Sequence, residues 1–358
     1  MSIDLKKLIF DLSGIMTVTG HTAREEKKLL DLLGGYFDEV QHSPLGNYTF
    51  IRRCGRPGAP RILVDAHLDE IGMVVSGIKD GGFLTVEMIG GVDTRILQAS
   101  DVVIYGKDRD GKEHNIFGVV GSTPPHLQKP EDANKLKKIN ELLIDTGYSR
   151  TELEKFVRIG TPVGFAPAYL ELANGRIAGK GFDDKSCAAC AVAAVADAPR
   201  EDLWGDVYVQ LSNYEEDGGF MAGAMTGAYA IAPDAALVAD VNLAYTPDTK
   251  RSETVPVGGG VSVTLSPLTD KRLTRILREE AAAAGVKTQP SVATRSTGTN
   301  TTVVNLVGHG IPTVDLGLPL KSMHTCSELI AMEDAEALRD MIRIFVTSAK
   351  IAGEVRGE

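Results

Sequence analysis

A chain of 358 residues is long enough to bury a large core and to form two domains. Apolar residues make up 43% and charged residues 24%, the balance of a globular protein, while a formal net charge of −10 argues against nucleic acid as a partner. No run of about eighteen apolar residues is present to cross a membrane, and MSIDLKKLIFDLSG lacks the apolar core and cleavage site of a signal peptide. Four cysteines do not make a disulfide framework, so a reducing cytoplasm is the expected location.

The opening 40 residues read as helices, with the leucines of EEKKLLDLLGGYF at helical spacing before a Gly-Gly stop. GNYTFIRR (46–53) alternates as a strand does, and RILVDAH (61–67) is the β-rich apolar run of a strand buried on both faces. From residue 72, short strands separated by Gly and Asp turns predict a small barrel or sandwich reaching about residue 165. That segment includes a polar stretch (128–140) and a helix, SRTELEKFV (149–157), opened by a capping box of Ser149 and Glu152. Beyond residue 166, the strands GDVYVQLS, DAALVAD and IPTVDLG alternate with the helices DKSCAACAVAAVAD, KRLTRILREEAAAAG and DAEALRDMIRIFVTSAKIAG. This is the pattern of a helix-flanked, mostly parallel sheet. The expected architecture is an α/β domain built from residues 1–71 and 166–358, with a β-barrel-like domain inserted at 72–165.

Ligands of an open α/β sheet bind where strands end. His67 and Asp69 follow RILVDA, Asp183 and Asp184 follow ELANGRIAGKGF, and Glu215 and Glu216 follow VYVQLSNY. Asp240 closes AALVAD, and His324 follows IPTVDLGLPLKSM. By itself the acid run of NYEEDGG (213–219), between a strand and the helix-like GFMAGAMTGAYAIA (219–232), reads as charge at a helix N-terminus. Two histidines and several carboxylates at successive strand ends are instead a ligand set for a pair of divalent ions such as Zn²⁺ or Co²⁺. Such pairs activate water for hydrolysis. In His67-Leu68-Asp69, residues i and i+2 of an extended segment point the same way, so Asp69 can accept the ring N–H that His67 leaves free.

The chain resembles the tetrahedral aminopeptidases, a family of dinuclear-metal exopeptidases that includes glutamyl, leucyl, lysyl and deblocking enzymes. The resemblance rests on LGN (45–47), DAHLDEIGMVV (65–75), GVVGSTPPH (118–126), LLIDTGYS (142–149), GFDDKS (181–186), EEDGGFMAGA (215–224), STGTNTT (296–302) and GIPTVDLGLPLKSMHTCSE (310–328). It implies that His67, Asp183 and Asp240 hold one metal, and that His324, Glu216 and Asp183 hold the other. Glu215 would then be the general base, and Asp69 would orient His67. It also implies peptide substrates, an inserted domain used in oligomerisation, and dimers assembled into a hollow dodecamer. The chain departs from the family pattern at Asp184-Lys185, at 241–248, at Asn300 in Gly298-Thr299-Asn300-Thr301, and at Lys321. Several of these positions are expected near the substrate, where they would bear on specificity.

Asp217 has no matching role and is expected to serve only the helix end. Cys187 and Cys190 form a C-x-x-C inside a small-residue helix and are expected as packed small hydrophobes. Cys326 lacks a partner base, His126 is expected in a tight turn, and His21, His42, His114 and His309 are expected in loops. Rival readings are a metal-dependent deacylase or amidase of N-acyl amino acids, and a non-catalytic assembly protein on the same fold. A glycosidase would need facing carboxylates but no strand-end histidines.

Overall fold

A computed structural model describes residues 2–128, 135–217 and 220–357. After the helices Leu5–Ser13 and Glu26–Leu33 come three strands, β1 (Glu39–His42), β2 (Tyr48–Arg52) and β3 (Arg61–His67). The next six are β4 (Gly72–Ile78), β5 (Leu84–Ile89), β6 (Asp101–Lys107), β7 (Glu113–Val120), β8 (Ile144–Asp145) and β9 (Pro162–Phe165). Two short strands follow, β10 (Leu170–Leu172) and β11 (Arg176–Gly179). The remainder carries β12 (Asp206–Ser212), β13 (Ala235–Leu243), β14 (Val261–Leu265), β15 (Thr288–Val292), β16 (Thr313–Leu320) and β17 (Glu328–Ala331).

The main sheet has eight strands in the order β1-β2-β12-β3-β13-β16-β14-β15. Its centre is parallel, with β3 between β12 and β13 and β13 beside β16. The β1–β2, β2–β12 and β14–β16 pairs are antiparallel. Apolar side chains on both faces of β3, β12, β13 and β16 are buried, as a sheet covered by helices on each side requires. The strands at 261–265 and 288–292 were not apparent in the sequence. Pro290 interrupts β15, which is tolerated because β15 is an edge strand.

The six strands from Gly72 to Phe165 close into an antiparallel barrel in the order β4-β5-β8-β7-β6-β9. Alternation along β7 turns Ile116 and Val120 inward and leaves Phe117 and Val119 exposed. The capping box at Ser149 and Glu152 is present, although the helix it opens spans only Arg150–Leu153. The polar stretch at 128–140 lies partly outside the described residues.

The helix Phe182–Ala196 packs against the sheet, the N-terminal helix and the helix Met332–Thr347, so it is buried on every side. Its small residues permit that close approach. Cys187 and Cys190 are fully buried and unpaired, and Cys190 Sγ lies 3.3 Å from the Ala335 carbonyl. The last helical segment, expected as one, is two. Ser348 leaves the helical region and its hydroxyl accepts the Ile351 N–H, capping a second helix over Ala349–Arg356.

Candidate metal centre

The parallel centre of the sheet brings its strand ends together. His67 ends β3 opposite Ser212, the last residue of β12, so Glu215 and Glu216 emerge beside it. Asp240 is not at a strand end, because β13 continues alongside β16 to Leu243. Asp183 enters from the start of the buried helix, and His324 from the loop after β16. Nε2 of His67 lies 3.0 Å from Asp183 Oδ1, 3.8 Å from Asp240 Oδ1 and 4.0 Å from Glu215 Oε2. Nε2 of His324 lies 3.5 Å from Asp183 Oδ2 and 3.1 Å from Glu216 Oε2. Asp183 therefore presents one oxygen to each imidazole.

Burial opposes ionisation throughout this cluster. It pushes Glu215 up to about 7 and raises Glu216, helped in the latter by the charge of Asp183. Asp183 is buried too, but hydrogen bonds with His324 and His67 outweigh that and lower it to about 2. Its hydrogen bond with His324, followed by that of Glu216, lifts the His324 imidazole to about 11. Among the described residues, the ion pairs of Asp183, Glu215, Glu216 and Asp240 run only to these two imidazoles. Acid in such excess needs cationic compensation, and a divalent ion would compete with the imidazole protons for it. Glu216 Oε1 is buried without a hydrogen-bond partner, so a donor atom is available. Ligand-type atoms of His67, Asp183 and Glu216 lie within 4.8 Å of one another, as do those of His67, Asp184 and Asp240. The donor set fits divalent ions that accept nitrogen and oxygen.

Asp69 differs from expectation. His67 Nδ1 lies 2.9 Å from the main-chain oxygen of Asp69 and 3.7 Å from its carboxylate. The carboxylate instead accepts the N–H groups of Glu215 and Glu216, both at 3.2 Å, and the Thr19 hydroxyl at 2.8 Å. Asp217 is also not a helix-end charge, since the helix begins at Ala222. Its Oδ2 accepts the N–H of Gly90 at 3.1 Å, tying the acidic loop to the turn after β5.

Of the departures from the family pattern, Asp184, Lys185 and Asn300 are buried, whereas 241–248 runs from the end of β13 into a loop with exposed residues. Asp184 is fully buried, with Oδ2 accepting the His67 N–H at 3.2 Å. Lys185 is fully buried against the Ile15 carbonyl and Glu70. Asn300 donates to Asp65 at 2.8 Å and to the Ser212 hydroxyl at 2.9 Å. Lys321 is partly exposed. Two of the expected loop histidines are in strands. His42 ends β1 and stacks on Tyr48, and His114 in β7 lies 2.9 Å from Asp108. His126 lies in a single turn at Pro125–Leu127, as expected.

The sequence reading did not single out Asp65, Glu70 or Glu328. Asp65 sits mid-strand in β3, bound by Gln210, Ser212 and Asn300, and burial raises it to about 6. Its signal was an acid inside an otherwise apolar run. Glu70 accepts bonds from Lys180 and lies 3.0 Å from Lys185. Glu328 accepts main-chain N–H groups of both Asp183 and His324.

A helix-flanked sheet whose strand ends converge two imidazoles on a shared aspartate, with a barrel set into the chain, defines a metal-dependent peptidase. The chain belongs to the M42 glutamyl aminopeptidase family, whose profile matches residues 46–341, and it is a metallo-aminopeptidase. It is 30% identical over 312 residues to the lysyl aminopeptidase of Pyrococcus furiosus, covering 86% of each chain. It is similar to the aminopeptidase APDkam598 of Desulfurococcus kamchatkensis, with a TM-score of 0.86, 28% identity, and coverage of 99% of this chain and 98% of that one. The fold is also shared with the TET1 peptidase of Pyrococcus horikoshii, which can assemble into a tetrahedron or a large octahedral shell. There the TM-score is 0.81 at 24% identity, over 96% of this chain and 100% of the other.

Proposed function

We propose that the enzyme removes the N-terminal residue from peptides by using two divalent ions, with Zn²⁺ or Co²⁺ suited to the mixed imidazole and carboxylate donors. His67, Asp183 and Asp240 would hold one ion, and Asp183, Glu216 and His324 the other. The observation that carries this reading is Asp183, whose two oxygens lie 3.0 Å and 3.5 Å from the nitrogens of His67 and His324. Asp184 is given a supporting role because its Oδ2 accepts the His67 N–H at 3.2 Å, although its Oδ1 is also buried without a hydrogen-bond partner. Bound ions of this kind lower the pKa of water and polarise a carbonyl.

The chain's own groups supply the rest. Glu215, 4.0 Å from His67 Nε2 and raised by burial to about 7, takes a proton from the attacking water and delivers it to the leaving amine. Asp69 holds the main chain of Glu215 and Glu216 in place. Residues 1–71 and 166–358 form the catalytic domain, and 72–165 form a domain for assembly into dimers and then a dodecamer. The exposed Phe117 and Val119 on the barrel support that role. Four unpaired cysteines support a reducing, cytoplasmic location.

The test is a panel of aminoacyl-p-nitroanilides assayed beside N-acyl amino acids, on chelated enzyme and on enzyme reloaded with each metal. Metal-restored cleavage of free-amine substrates alone is expected. Preference for N-acyl substrates would replace the aminopeptidase reading with the deacylase one.

A further inference from the structure

Glu328 opens β17 and is 2% exposed. Its Oε2 accepts the N–H of Asp183 at 3.0 Å, and its Oε1 accepts the N–H of His324 at 2.9 Å. The local fold places it there, because β17 pairs antiparallel with β11 and sets Glu328 opposite Gly179, just before the turn into Asp183. His324 has a backbone φ of 61°, in the left-handed region that a residue with a Cβ enters only when its surroundings hold it. The bond to Glu328 is one such restraint. Gly91 leaves room for the His324 ring, since a Cβ there would lie 2.7 Å from Nδ1.

We propose that Glu328 is a positioning residue. By holding the main chain of Asp183 and His324 on its two oxygens, it fixes the spacing of these ligands and so governs how tightly the ion on the His324 side is bound. The inference rests on the ligand assignment above. Two of the three ligands on that side depend on Glu328, but only Asp183 does on the His67 side. Glutamine has a single acceptor oxygen, so Glu328→Gln leaves one of the two N–H groups facing an amide NH₂.

The experiment is equilibrium dialysis of chelated full-length protein against Co²⁺ and Zn²⁺, with circular dichroism as the check on folding. The unsubstituted protein should bind two equivalents. In Glu328→Gln one equivalent should weaken about 10–100-fold, the usual cost of losing a group that orients ligands, and the other several-fold less. Placing Glu328→Gln in a His324→Ala background should change the remaining equivalent only slightly. Equal weakening of both equivalents, or none, would overturn the proposal. If Glu328→Gln does not fold, Glu328→Asp is measured in the same way. It should show the same unequal loss, and an equal or absent loss overturns the proposal. An unsubstituted protein that binds no pair of ions would sink the ligand assignment, and this inference with it.

Discussion

The main-chain N–H of Glu216 donates to Oδ2 of Asp69 at 3.2 Å, so the loop after β3 fixes the loop after its neighbour β12. The other oxygen takes the N–H of Glu215 at the same distance. Asparagine has one acceptor oxygen and cannot serve both. Asp69→Asn should therefore lower kcat/KM about 10–100-fold while the fold is kept, in line with other groups that support metal ligands. Steady-state kinetics and circular dichroism check this, and unchanged kinetics would remove Asp69 from the site.

Glu70 is the counter-charge to two buried lysines. Lys180 Nζ lies 2.8 Å from both of its oxygens and Lys185 Nζ 3.0 Å from one. All three side chains are buried. Glu70→Gln leaves the buried Lys180 ammonium without its anion and removes the charge that helps hold Lys185 protonated, and breaking such a buried pair costs about 3–5 kcal/mol. Urea unfolding of the metal-free protein should show that loss, and a change too small to resolve would contradict it.

Burial pushes the Lys185 ammonium from 10.5 down to about 7, against the opposing pull of Glu70. Below pH 7 both folded and unfolded chains hold the proton and the burial penalty is complete. Between the two values the unfolded chain holds a proton that the folded chain has released, so stability rises with pH. Lys185→Met removes that titration. In metal-free protein, the stability difference should move in favour of the unsubstituted chain as pH rises through this window, by on the order of a few kcal/mol. A difference independent of pH would contradict the assignment.

His67, Glu215, Glu216 and His324 stood out in the sequence as a candidate cluster because a parallel sheet gathers residues past its strand ends, and the alternation of strands and helices marks those ends. Asp183 was visible for the same reason, after a strand-like run. Glu328 was not, because it belongs to a three-stranded sheet of β10, β11 and β17, and its short strand carries no alternation of its own. The helix break at Ser348 was hidden because apolar spacing runs through it while the hydroxyl bond that makes the break is local. The contact expected between His67 and Asp69 involves a different atom of Asp69. The i, i+2 rule gives the direction of a side chain, and here the nearby main-chain oxygen takes the imidazole N–H instead. Asp217 and Asn300 show the complementary lesson, since which buried partner a polar side chain meets depends on chain segments far away in sequence.

In the proposed mechanism Glu215 moves the proton while its neighbours hold the metals. This division of roles is tested most directly by measuring kcat and bound metal together for Glu215→Gln. Two equivalents of metal should be bound, as in the unsubstituted enzyme, with kcat lowered by roughly two to four decades. Retention of most of the activity with the metals in place would contradict it.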